Sequence, residues 1–112
     1  MEIDNLRELE RRIIYDFMEL AILSLLYHDG SHASGYDIIK HLHRRFGFLI
    51  SSGHIYSHLY ALERKGLLRG SHIGRKRVYT LTKKGTDAAK IVIYARDRIG
   101  KFVSSILQKF NE

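Results

Sequence analysis

The chain of 112 residues contains no cysteine and no proline. Without cysteine, a disulfide framework, a thiolate metal site and a cysteine nucleophile are all excluded. Without proline, glycine is left as the chief punctuation. Long apolar runs are missing as well. LAILSLLY, residues 20–27, is far shorter than the ~18 to 20 residues a bilayer span needs. The first residues are mixed in charge and lack the apolar stretch and small-residue cleavage site of a secretory signal. The expectation is a cytoplasmic protein with no membrane partner. A glycine-rich phosphate loop and a paired-carboxylate cleft are also lacking, so neither an enzyme nor a cofactor is expected.

What is present is a folded chain of one-domain size, 45% hydrophobic, with a net charge of +7. The distribution of that charge is uneven. Residues 1–28 hold three arginines against six carboxylates, a net of −3. Residues 29–86 hold eleven cations against three carboxylates, a net of +8, and residues 87–112 hold five against three, a net of +2. A surface with its cations concentrated in one segment suits a polyanion, because each neutralised phosphate releases condensed counterions. Solubility alone is the blander use of such charge.

Periodicity predicts an N-terminal helix within 1–28, with Asp4 as its cap and Leu6, Leu9, Ile13, Phe17, Leu20 and Leu23 along one face. Whether it is one helix or two bent near Tyr15 stays open. HDGSHAS then breaks the pattern. Ser34 is placed to cap a second helix over 34–46, with Ile38, Ile39, Leu42 and Phe46 inward and Gly47 closing it. A third helix is predicted over 52–66, with Ser52 as cap, Ile55, Leu59 and Leu62 inward, and Gly66 at its end. Two strands over 67–81 follow from alternation and β-branched or aromatic content, with Gly74 at their tip. Thr82 then caps a long helix over 82–110. Its apolar positions Ala88, Val92, Ala95, Ile99, Phe102 and Ile106 step 4, 3, 4, 3, 4, the rhythm of helices that pair along their length. Val103, Leu107 and Phe110 widen the seam.

The third helix and the hairpin carry the chemistry. A short helix with a small, polar outer face, followed at once by a basic hairpin, is the outline of a winged helix-turn-helix. The fold class expected is mainly α with a small β-hairpin wing, an N-terminal helix and a long C-terminal dimerisation helix. Helix-turn-helix docking brings Ser52, Gly53, His54, Ser57 and His58 toward base edges, with Ala61 and Arg64 further along. No Asn or Gln is present there for bidentate adenine recognition. Arg75, Lys76 and Arg77 of the wing are expected to reach phosphates or the minor groove. Ser34, Gly35 and Lys40, with Arg44 and Arg45, are candidates on the second helix. Val92, Ala95, Ile99, Phe102, Val103 and Ile106 are the expected dimer contacts. His54 and His58 stand at the i, i+4 spacing two zinc ligands can use, but no third ligand accompanies them, so no metal is expected. Histidine titrates near neutrality, so a pH-sensitive DNA contact is the other use of that pair.

ILSLL (22–26), GYDI (35–38), SSG leading into HIYSHLYALERKGLL (51–68) and RKRVYTLTKKG (75–85), in that order and with compatible spacing, resemble the PadR-type transcriptional regulators. The similarity is to the short forms with a single C-terminal dimerisation helix, and it covers roughly residues 20–87. The chain departs from the family pattern at Ser57, where proline is usual, at Val78, often a second aromatic, and in a shorter wing over 69–77. These departures bear on sequence preference and on the wing's reach. The resemblance implies a homodimer on an inverted-repeat operator, usually a repressor, with duplex DNA as partner. In some members a small aromatic or drug-like effector releases the DNA. The alternatives carried alongside are a sequence-indifferent architectural DNA-binding protein and a winged-helix module used only for protein contact.

Overall fold

In the computed structural model, residues 5–29, 32–47 and 49–110 are described. Asp4 lies outside them, and Asn5 supplies the first helix cap, its side chain accepting from the Glu8 amide at 3.0 Å. The N-terminal helix is two helices, α1 (Leu6–Asp16) and α2 (Met18–Asp29), separated where Phe17 leaves helical geometry at φ −101°, ψ 19°. α2 is apolar nearly all round, as a helix enclosed by neighbours must be. It packs against a helix formed by Ser52–Arg64, another formed by Lys83–Tyr94, and a strand at Lys76–Leu81.

The segment HDGSHAS, expected only to break the helical pattern, yields strand β1 (His32–Ser34). Three residues with one buried side chain are too few to show period-2 alternation, and the strand exists because a partner from far along the chain completes it. β2 (Leu68–Ile73) and β3 (Lys76–Leu81) form the expected hairpin, and the antiparallel sheet runs β1-β3-β2. His32 pairs with Thr80 and Ser34 with Val78, while Leu68 pairs with Leu81 and Ile73 with Lys76. Gly74 has φ 63° at the first of the two turn residues, a conformation that glycine adopts without a Cβ penalty and that suits a tight hairpin.

Between β1 and β2 lie α3 (Gly35–Phe46) and α4 (Ser52–Arg64). The core gathers Met18, Ile22 and Leu26 of α2, Ile38 and Leu42 of α3, Ile55, Leu59 and Leu62 of α4, and Leu68 and Tyr79 of the sheet. α4 ends two residues before the expected Gly66. That glycine, at φ 77°, lets Leu67 return its amide to the Leu62 carbonyl at 2.9 Å, closing the helix with a left-handed cap.

The long C-terminal helix is also divided, into α5 (Lys83–Tyr94) and α6 (Arg96–Ile106), at Ala95 with φ −92°, ψ 2°. Ile99 still donates to the Ala95 carbonyl at 2.8 Å, so the bonding pattern passes through the break. α6 stops at Ile106, short of the expected Phe110. The Ser105 hydroxyl donates to the Phe102 carbonyl, and Leu107 and Gln108 bond three residues back, which tightens and ends the last turn. No residue of α6 is buried. The helix projects, giving a radius of gyration of 15.5 Å where about 13 Å is usual for a compact chain of this length.

Candidate nucleic-acid interface

Two caps set the helices that face outward. Ser34 caps α3 in a reciprocal box: Asp37 donates its amide to the Ser34 hydroxyl at 3.1 Å, and the Ser34 amide donates to the Asp37 carboxylate at 3.3 Å. Hydrogen bonds from Ser34 hold the Asp37 carboxyl below its ordinary range, and the nearby Lys76 and Lys40 add to this. At α4 the cap is Ser51, not Ser52. The Ser51 hydroxyl accepts from the His54 amide at 3.4 Å, while its own amide donates to the Tyr15 hydroxyl. The expected cap lies one residue too late: Ser51 takes the role, its amide held by the Tyr15 hydroxyl. Ser52 is thereby released to the surface.

α4 has three faces. Ile55, Leu59 and Leu62 enter the core. His54 and His58 turn toward α1 and α2. The His54 ring lies 4.3 Å from Tyr15 and 4.6 Å from His58, and its Nε2 is buried without a hydrogen-bond partner. His58 Nδ1 is 2.9 Å from Glu19 Oε2, and Lys65 Nζ is 2.8 Å from Glu19 Oε1. Burial raises the Glu19 carboxyl, but the hydrogen bonds from Lys65 and His58 outweigh it and hold the group below its usual value. The third face is outward and exposed: Ser52, Gly53, Tyr56, Ser57, Tyr60 and Arg64, with Ala61 half-buried at its edge. The histidine pair expected beside Ser57 therefore stands on a different face of the helix. Among the described residues no group of three His, Cys, Asp or Glu is placed to hold a metal ion.

On α3 the expected residues separate. Ser34 and Gly35 are buried, the serine at its cap and the glycine beneath the Tyr56 ring, which occupies the space a Cβ would need. Lys40 is exposed, 5.9 Å from the ring of the exposed Tyr36. Arg44 and Arg45 are exposed further along. In the wing, Arg75 and Lys76 project at the tip, while Arg77 is half-buried and bonded to Glu63. The outcome is an α4 with small polar side chains on its outward N-terminal half and a cationic hairpin tip, the two elements joined by the Arg77–Glu63 ion pair at the helix's last turn. Ser52, Gly53 and Ser57 leave the N-terminal half of that face with little bulk, so it can approach base edges closely, while the larger Tyr56, Tyr60 and Arg64 share the face and the wing's cations suit phosphates.

The sequence pattern did not single out Tyr15, Glu19 or Glu63, which orient α4 from outside it or from its far end. Tyr15 and Glu19 lie beside the buried positions Ile14 and Met18, one residue along from the expected apolar positions Ile13 and Phe17, which are exposed instead.

Of the expected dimer residues, Val92, Ala95, Ile99 and Val103 are half-buried, whereas Phe102 and Ile106 are 66% and 58% exposed. Ile91, Tyr94, Leu107 and Phe110 are exposed along the same two helices and the residues after them, as are Leu6, Ile13 and Phe17 in and just after α1.

Residues 22–91 match the model of the Transcriptional regulator PadR-like family. Solved structures agree on the fold. A transcriptional regulator from Clostridium thermocellum superposes with a TM-score of 0.72 at 22% identity, covering 87% of this chain and 96% of that one. A PadR family transcription regulator from Clostridium difficile gives 0.70 at 24% identity, with 82% and 99% covered. A PadR-like transcriptional regulator from Bacillus cereus gives 0.68 at 22% identity, with 88% and 98% covered. No curated protein matches the sequence.

Proposed function

Because the chain belongs to the PadR-like family of DNA-binding transcriptional regulators, we propose that it is a repressor that binds an inverted-repeat operator as a homodimer in the cytoplasm. The observation that carries this reading is the row of large apolar side chains exposed on α5 and α6, from Ile91 and Tyr94 through Phe102 and Ile106. One protomer leaves them in water, and a two-fold partner covers them. A two-fold axis presents two α4 helices to two half-sites, which is why operator symmetry mirrors protein symmetry. The exposed side chains of α1 extend the same surface. Among the described residues no helix is long and apolar enough to cross a membrane.

Base discrimination falls to Ser52, Gly53 and Ser57, and phosphate contact to Arg75, Lys76 and Lys40. The outer face of α4 offers no Asn or Gln, and this favours a second reading, a sequence-indifferent architectural protein. Binding to a selected operator and to scrambled DNA at one salt concentration separates the two. A regulator distinguishes these duplexes, and Ser57→Ala reduces the distinction while leaving scrambled-DNA affinity nearly unchanged. Arg75→Ala with Lys76→Ala should weaken both and reduce the salt slope by about 0.9 for each phosphate no longer neutralised. If the wild-type protein binds both DNAs alike, the architectural reading replaces the regulator.

A cleft of about 460 Å³ between α2, α3, α5 and the start of α6 is where a small-molecule effector would bind. Leu25, Leu42, Phe46 and Val92 make its walls apolar, while Arg45 and Arg96 supply cations at its edge. That chemistry suits a compact aromatic anion. An aromatic carboxylate should therefore lower operator affinity in the wild type and lose that effect in Arg96→Ala. Equal sensitivity of the two proteins would place the effector elsewhere.

A further inference from the structure

Arg77 sits in the most basic run of the chain, yet its guanidinium is turned away from the wing's tip and held against protein. Nη2 donates to Glu63 Oε2 at 2.7 Å, with each side chain about 30% exposed. On another side the group lies against β2 at Gly70, where a Cβ would come within 2.5–2.9 Å of the guanidinium. On a third, Cζ stands 5.6 Å from the centre of the Tyr79 ring. Arg77 Nε and Glu63 Oε1 are both buried and without partners. Glu63 belongs to the last turn of α4, and Arg77 to the strand leaving the wing's tip. The ion pair therefore joins the two elements that must meet DNA together.

We propose that Arg77 is a positioning residue that fixes the angle between wing and reading helix through Glu63, and that it does not itself contact phosphate. Glycine at position 70 is part of the device, since any side chain there would displace the guanidinium. Lys76 and Arg75, one and two residues earlier, remain the phosphate contacts. The assignment rests on the wing reading above. Geometry alone distinguishes the roles of three neighbouring cations that composition treats alike.

The decisive substitution removes a negative charge. If Arg77 were a phosphate contact, Glu63 would compete for it, and Glu63→Met would release the arginine and tighten binding. If Arg77 acts as a pin, Glu63→Met loosens the wing, and operator affinity falls although every cation is still present. One phosphate fewer neutralised by the wing corresponds to about eightfold at 0.1 M salt, with a slope shallower by about 0.9. Arg77→Met should show the same loss, and the double variant no more than either single one, because both remove one interaction. Hydrogen exchange should quicken in β2 and β3 while the amides of α2 keep their protection. Should Glu63→Met unfold the chain, Glu63→Gln carries the same sign with a smaller loss. Tighter or unchanged operator binding by the Glu63 variant, with Arg75→Ala/Lys76→Ala still weakened, overturns the pin alone. Full affinity in the Arg75→Ala/Lys76→Ala variant overturns the wing reading and the pin with it.

Discussion

If the proposed two-fold dimer forms through α6, a Phe102→Asp variant should sediment as a monomer at concentrations where the parent sediments as a dimer. The ring is 66% exposed in the protomer, so its removal costs the protomer's own fold little. In a two-fold dimer the change counts twice. Removing two phenylalanine burials at ~1.5–3 kcal/mol each weakens association by about a hundredfold to ten-thousandfold. A desolvated carboxylate in place of each ring adds to that penalty. Operator binding should fall with it, since two linked reading heads gain from effective concentration and separated ones do not. Half-site affinity should be nearly unchanged. A variant that stays dimeric at micromolar concentration would place the interface away from α6.

The largest effect on stability is expected from Gly85→Ala. Gly85 is buried in the first turn of α5, its amide donating to the Thr82 hydroxyl at 3.0 Å. Around it the chain is clasped twice more: the Thr82 hydroxyl donates to the Gly66 carbonyl at 2.6 Å, and the Thr82 amide to the Leu67 carbonyl at 3.1 Å. A Cβ on residue 85 would overlap that Leu67 carbonyl oxygen. Backbone held by these bonds cannot swing aside as a side chain can. The cost should reach ~3 kcal/mol, the upper part of the usual range for overpacking, and lower the melting temperature by roughly 10–15 °C. Gly35→Ala is the useful contrast. There the obstacle is the outer part of the Tyr56 ring, which can rotate away, so the expected loss is smaller. Melting of Gly85→Ala within two or three degrees of the parent would show that the clasp yields.

The helices and the hairpin were legible because each rests on local signals. Ile38 and Leu42 repeat at helical spacing, Ser34 and Asp37 sit where a capping box needs them, and Gly74 marks the turn. β1 was not legible, since its three residues become a strand only when Val78–Thr80 arrive more than forty positions later. The α5–α6 division was hidden, and the α1–α2 division, left open near Tyr15 and found at Phe17, could not be decided, for a related reason. An apolar stripe passes through each break without interruption, and hydrogen bonding continues across it.

The candidate interface was legible to the level of its elements and less so to its side chains. Periodicity places His54 and His58 off the core of α4, but it cannot say that Tyr15 and Glu19 await them on α1 and α2. Composition likewise presents Arg75, Lys76 and Arg77 as one cluster. Glu63 and Gly70 divide that cluster, and neither bears on it until the hairpin folds back along α4.

The three faces of α4 also bear on how the protein can change. The side chains that hold the helix in place, Ile55, Leu59 and Leu62 in the core with His54 and His58 against α1 and α2, are different from those presented outward. Ser52, Gly53 and Ser57 make no interaction on which the fold depends. On the proposed reading, a substitution at one of them would be felt by the nucleic acid and scarcely by the scaffold. Drift in a regulator's target can thus proceed through small steps at these positions, each intermediate still folded, and the helix can acquire a new vocabulary without first losing its stability.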